Sequence, residues 1–160
     1  MTKIDELFNQ AYQMHVLEEK NDEAIKLCRQ ALVLDPFNYR VRVFLGILLG
    51  DSSNSQDKLE ARQHFVQAIK SATNADQIFT DWPEEAVIHH LGIWELNRGA
   101  EQNACLFFLI DSMTSRNKVS LEYATKLLEK LYPDISSDVR LILNCVMRIS
   151  NSREKIVVKE

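Results

Sequence analysis

The chain has 160 residues, 46% of them hydrophobic and 26% charged, with a net charge of −4. That length suits one domain with a single continuous core, and the composition belongs to folded globular chains rather than disordered ones. An acidic balance without a basic stripe argues against nucleic acid as a partner, and the longest apolar runs, at 43–49 and 104–110, fall far short of the roughly 20 residues a bilayer span requires.

Glycines and prolines are few, and apolar residues recur at three- and four-residue spacing, so the expected class is all-α with short connections. The opening MTKIDELFNQ has no basic-then-apolar leader, which makes the cytoplasm the expected location. Three cysteines at unrelated spacings fit free thiols in a reducing compartment. The first predicted helix presents Leu7, Ala11 and Met14 on one face. The second lies in NDEAIKLCRQALVLDP, where Ala24 and Ala31 bracket Cys28 and Pro36 forces Asp35 out of helical geometry. A third carries Val43, Ile47 and Leu48, and a fourth, EARQHFVQAIK, repeats the trio as Ala61, Phe65 and Ala68.

A longer stretch around NADQIFTDWPEE precedes VIHHLGIWELN, and NACLFFLID then gives the trio again as Ala104, Phe108 and Asp111. Two further helices are predicted. One covers about 120–132, with Leu121, Ala124, Leu128 and Leu131 on one face and Pro133 as its stop. The other covers 137–150, with Val139, Ile142, Leu143, Val146 and Ile149 at helical spacing. Residues 151–160 read as a frayed tail. Acidic pairs at Asp5-Glu6, Asp22-Glu23 and Glu84-Glu85 fall near helix starts, where they complement the dipole, and Asp81 with Glu84 has capping-box spacing.

The trios share a register. Leu45-Gly46 and Leu91-Gly92 stand before the second and third, with Ala11-Tyr12 in that place before the first; Tyr12 precedes Gly46 by 34 residues, and Tyr12 and Gly92 each precede their alanine by 12. This resembles the tetratricopeptide repeat, whose pattern is W-x2-L-G-x2-Y, then A-x3-F-x2-A, then P. The resemblance covers about residues 5–116 and has departures. Phe8, Arg42 and Ile88 stand in place of the Trp, only the first unit closes with Pro, and extra residues fall within DSSNSQDK and between units two and three. It implies a right-handed helical-hairpin solenoid in a single domain over 1–150, with repeats at about 5–36, 39–73 and 84–116 and the two C-terminal helices as cap. Hairpins of this kind cannot bury their own apolar face, and small residues let paired helices approach while a larger one plugs between them.

No catalytic constellation stands out, so neither enzyme activity nor a cofactor is expected. His89-His90 is the only pair suggesting a metal site, but neighbours on a helix point about 100° apart. The expectation is no metal, with one ring toward a helix interface and the other toward solvent. Cys28 occupies a packing position, and Cys105 and Cys145 sit in apolar runs. The resemblance implies a concave groove lined by the first helix of each hairpin: Asn9, Gln13, Val16, Arg40, Val43, Ile47, His89, Ile93, Leu96 and Asn97. The family's clamp for a chaperone C-terminal carboxylate is not matched. Asn9 fits its first place, but Gln13, Phe44, Ala86 and His90 stand in the others.

The expected function is therefore a non-catalytic adaptor or scaffold that binds a peptide or helix of a partner protein. The alternative is a small chaperone that holds a secreted or aggregation-prone client, similar in size and architecture to the translocator chaperones of type III secretion. LILNCVMRI is apolar around most of its circumference, which implies a second contact: either a loop such as IFTDW folded over it or a homodimer through residues 141–149.

Overall fold

The computed structural model describes residues 2–78, 86–115, 117–134 and 141–142. Among them the secondary structure is helical throughout: α1 (Lys3–Val16), α2 (Asn21–Leu34), α3 (Tyr39–Gly50), α4 (Ser55–Ser71), the single turn α5 (Ala75–Ile78), α6 (Val87–Asn97), α7 (Glu101–Thr114) and α8 (Lys118–Leu131). No helix among these residues is long and apolar enough to cross a membrane. The Asp81–Glu84 capping box, the helix predicted over 137–150 apart from its residues 141–142, the tail at 151–160 and Cys145 lie outside the described residues.

Local chemistry accounts for the boundaries. Thr2 and Asp5 form a capping box at the start of α1: the Thr2 hydroxyl accepts from Asp5 N–H and the Asp5 carboxylate accepts from Thr2 N–H. These bonds hold the Asp5 carboxyl below its usual range. Asp22 and Glu23 sit in the first turn of α2, where the dipole favours them. Asp35 ends α2 in an extended conformation ahead of Pro36. Asn38, Asn54 and Asn117 cap α3, α4 and α8 by accepting N–H groups of their first turns. The Asn117 cap starts α8 at Lys118, two residues before the periodicity alone suggests. Gly99, at φ 82°, closes α6, with Ala100 N–H reaching back to the Glu95 carbonyl.

Short connections make neighbouring helices antiparallel partners. The principal packed pairs are α1 with α2, α3 with α4, α6 with α7 and α7 with α8, joined through α2–α3 and α4–α6. Helix α3 is buried nearly all round and forms the centre of the larger core, which draws on α1 to α4 and the start of α6. A second core joins α7 to α8.

The small residues occupy the contacts. Ala24, Ala31, Ala61, Ala68 and Ala104 are fully enclosed, as are Cys28 and Phe108, and Phe65 is nearly so. A Cβ on Gly46 would fall 2.5 Å from the Phe65 ring and one on Gly92 2.6 Å from Phe108. The glycine of each Leu-Gly pair thus seats the phenylalanine of the following trio.

Candidate functional site

Where α3, α4 and α6 meet, a cavity of about 580 Å³ opens to the surface. Its apolar walls are Ile47 on α3, Leu59 and Phe65 on α4, and Ile93 and Trp94 on α6; Asp51, Ser55, Lys58, Asn97 and Arg98 bring polar groups, and Gly46, Gly50, His89 and His90 complete the lining. Trp94 is fixed in place. Its indole N–H donates to the Lys58 carbonyl at 2.7 Å, and the Arg62 and Arg98 guanidiniums lie 5.4 and 5.1 Å from its ring centre. Cation–π attraction of this kind steadies the indole. Glu95, 2% exposed, anchors both the helix end and this wall: its carboxylate takes Arg98 Nη2 at 2.6 Å and Asn103 Nδ2 at 3.2 Å, with Arg62 Nε at 3.9 Å. A buried carboxylate needs such partners, and here it has three.

Of the ten residues expected in the groove, Ile47, His89, Ile93 and Asn97 line this cavity. Asn9, Gln13 and Val16 lie exposed on α1, apart from it. Arg40 covers the Phe8 ring at 4.1 Å and borders a separate depression of about 290 Å³. Leu96 packs half-buried against the α7–α8 core. Val43 is 0% exposed and belongs to the larger core, because α3 is covered on that face too. Lys58, Leu59, Trp94 and Arg98 were not read from the sequence as lining residues. A signal for two of them was present: His90, Trp94 and Arg98 repeat at four-residue spacing one position beside His89, Ile93 and Asn97, so the cavity faces a strip two residues wide.

Both histidines are half-buried, His89 toward α7 and α8 and His90 beside Phe65 at the cavity wall. His90 stacks on Phe65 with ring centres 6.0 Å apart. His89 is wedged against Phe108 and Tyr123 and approaches His90 edge-on. Its Nδ1 lies 2.7 Å from the Ser120 hydroxyl, and that hydroxyl donates to Asp111 Oδ2 at 2.6 Å. Asp111 and Ser120 are both 0% exposed. Asp111, in the place of the third trio's second alanine, thus has a polar partner on α8 instead of a packing role alone. Its Oδ1 and the Ser115 hydroxyl are buried without a hydrogen-bond partner among the described residues.

Serine, histidine and aspartate meet here in an order unsuited to nucleophilic attack. An activated serine gives its proton to the imidazole, whereas this proton goes to Asp111. The chain of bonds orients His89. Burial holds the His89 and His64 pKa values below the usual imidazole range, against the pull of Asp111 and Glu60 respectively. It also pushes the Cys28 thiol up to about 12 and that of Cys105 upward, leaving both as inert packing groups. No group of three potential metal ligands occurs among the described residues.

Compared with known proteins, the chain matches no family model, no curated protein and no solved structure.

Proposed function

We propose that this chain is a non-catalytic protein–protein interaction module, an adaptor or scaffold of tetratricopeptide type, that seats an apolar segment of a partner protein between α3 and α6. The cavity carries this reading: aliphatic and aromatic walls with a polar, partly cationic rim suit an apolar side-chain cluster followed by a polar flank. Its volume lies in the range of roughly 300–1,000 Å³ that takes a ligand of several side chains. The repeat reading draws support from the enclosed alanine trios and from the two glycine–phenylalanine contacts, which give the Leu-Gly register a packing reason.

The test begins with a photo-crosslinking residue at Leu59, used to capture a partner in the source cells. A peptide of the captured segment is then titrated into the purified chain. The expected result is saturable binding that Ile47→Asp combined with Ile93→Asp abolishes, while the helical signal stays intact. Each buried aliphatic side chain contributes roughly 1.5–3 kcal/mol, so losing two puts a micromolar peptide beyond detection. Binding that survives the double substitution would sink the proposal. The holding-chaperone alternative draws on Leu106, Ile110 and Met113, an exposed apolar stripe along α7. Under that reading the chain keeps a client soluble on co-expression, which an adaptor does not.

A further inference from the structure

The contact between α7 and α8 encloses two polar atoms that the described chain leaves unmatched. Asp111 Oδ2 accepts the Ser120 hydroxyl at 2.6 Å, but Asp111 Oδ1 and the Ser115 hydroxyl are buried with no hydrogen-bond partner among the described residues. A carboxylate oxygen can only accept, and leaving one dry costs its full desolvation. Ser115 also departs from its neighbours on α7. The Ser112 hydroxyl donates back to the Leu109 carbonyl at 2.9 Å and the Thr114 hydroxyl to the Ile110 carbonyl at 2.7 Å, whereas the Ser115 hydroxyl takes no carbonyl of its own helix. Asp111 and Ser115 stand one turn apart, with Ser115 N–H bonded to the Asp111 carbonyl at 2.8 Å. Side chains four residues apart leave the same helix face, roughly 5–6 Å from Cβ to Cβ. No direct bond joins the two oxygens, so the gap between them suits one small molecule that both donates and accepts.

We propose that this contact holds one buried water, which donates to Asp111 Oδ1 and accepts from the Ser115 hydroxyl, so that both atoms are matched at once. Buried waters characteristically bridge polar groups that a chain cannot pair by itself, with two to four partners each. A hard cation fits less well: it takes about six or more oxygen ligands, and no group of three potential metal-ligating side chains occurs among the described residues. With the water in place, Asp111 receives Ser120 on one oxygen and the water on the other, while His89 Nδ1 lies 4.0 Å from Oδ2. That set of partners accounts for an acidic residue where the first two trios have alanine. Asp111 exchanges apolar packing for a polar connection from α7 to Ser120 on α8 and, through Ser120, to His89 on α6. The water belongs to the chain itself and needs no partner in the cavity.

A high-resolution crystal structure of the intact chain should show a fully occupied water within hydrogen-bond distance of both Asp111 Oδ1 and Ser115 Oγ. A Ser115 hydroxyl turned onto the Asp111 carboxylate or carbonyl, with no water between, overturns the proposal, and so does a metal ion at the site. In solution, oxygen-17 relaxation dispersion counts waters held longer than the molecule takes to tumble. The native chain should show one more such water than the double variant Asp111→Ala with Ser115→Ala. Ser112→Ala, whose hydroxyl is already satisfied by its own helix, should keep the native count. Equal counts in the native chain and the double variant overturn the water. The melting temperature should be the same in sodium, potassium and choline chloride at equal ionic strength; a rise with one cation assigns the site to that ion instead. The native crystal structure decides the matter even if the double variant does not fold.

Discussion

Gly46 and Gly92 show how a single missing atom sets a helix–helix distance. With a Cβ 2.5 or 2.6 Å from a phenylalanine ring already enclosed on every side, Gly46→Ala and Gly92→Ala should each cost about 1–3 kcal/mol by overpacking. Gly50 meets nothing within 4 Å, so Gly50→Ala should leave stability unchanged or raise it by up to about 0.5–1 kcal/mol. Urea denaturation of the three variants measures the contrast, and equal effects would defeat this account of the Leu-Gly pairs. The histidines give a pH prediction. His64 and His89 have lowered pKa values in the fold, so as pH falls through about 6.5 the unfolded chain takes up protons that the fold resists. Stability is therefore full above that value and is lost downward toward the lowered ones. The melting temperature should drop between pH 7.5 and 5.5, and His89→Phe should flatten the drop. The trio alanines were legible in the sequence because small residues at fixed spacing have few other uses. Asp111 in the third trio was legible as an exception, but its partner Ser120 comes from the next helix and shares no spacing rule with it.

At the scale of elements, helix ends carry most of the local information. Asn38, Asn54, Asn117 and Gly99 lie where their chemistry predicts a start or a stop. Glu19 does not. It closes the α1 turn at φ 54°, a left-handed conformation that costs a residue with a Cβ about 1–2 kcal/mol. Glu19→Gly relieves that strain and gives back part of it in unfolded-chain entropy. The expected net gain is about 0.5–1 kcal/mol, read as a higher urea midpoint with unchanged slope; a loss would mean that the side chain holds the turn. Helix α3 illustrates the limit of periodicity. Beyond Arg40 and Arg42 it carries only apolar residues and glycine, so its pattern could not say which face meets a groove, and Val43, expected in the groove, is core.

At the scale of the molecule, the principal contacts run between helices close in chain order, with α7 shared between α6 and α8. Circular dichroism should show helix well above the roughly one-third average of globular proteins, and an appreciable strand signal would contradict the fold. Leu141 and Ile142 are 64% and 59% exposed. The dimer proposed through residues 141–149 predicts a heavier species for the intact chain than for Leu141→Glu in sedimentation, and a monomer for both at tens of micromolar ends it.

The sequence by itself determined the helical class, the trios at the tight contacts and the stop at Pro36. All of these follow from interactions within one helix or from the need of neighbouring helices for small residues. Tertiary structure alone decided that Lys58 and Leu59 close the cavity from α4, and that His89, Ser120 and Asp111 meet across three helices. A helical pattern fixes the angle between side chains on one axis; the rotation of one axis against the next is set by how bulky groups such as Phe65 and Phe108 settle between them.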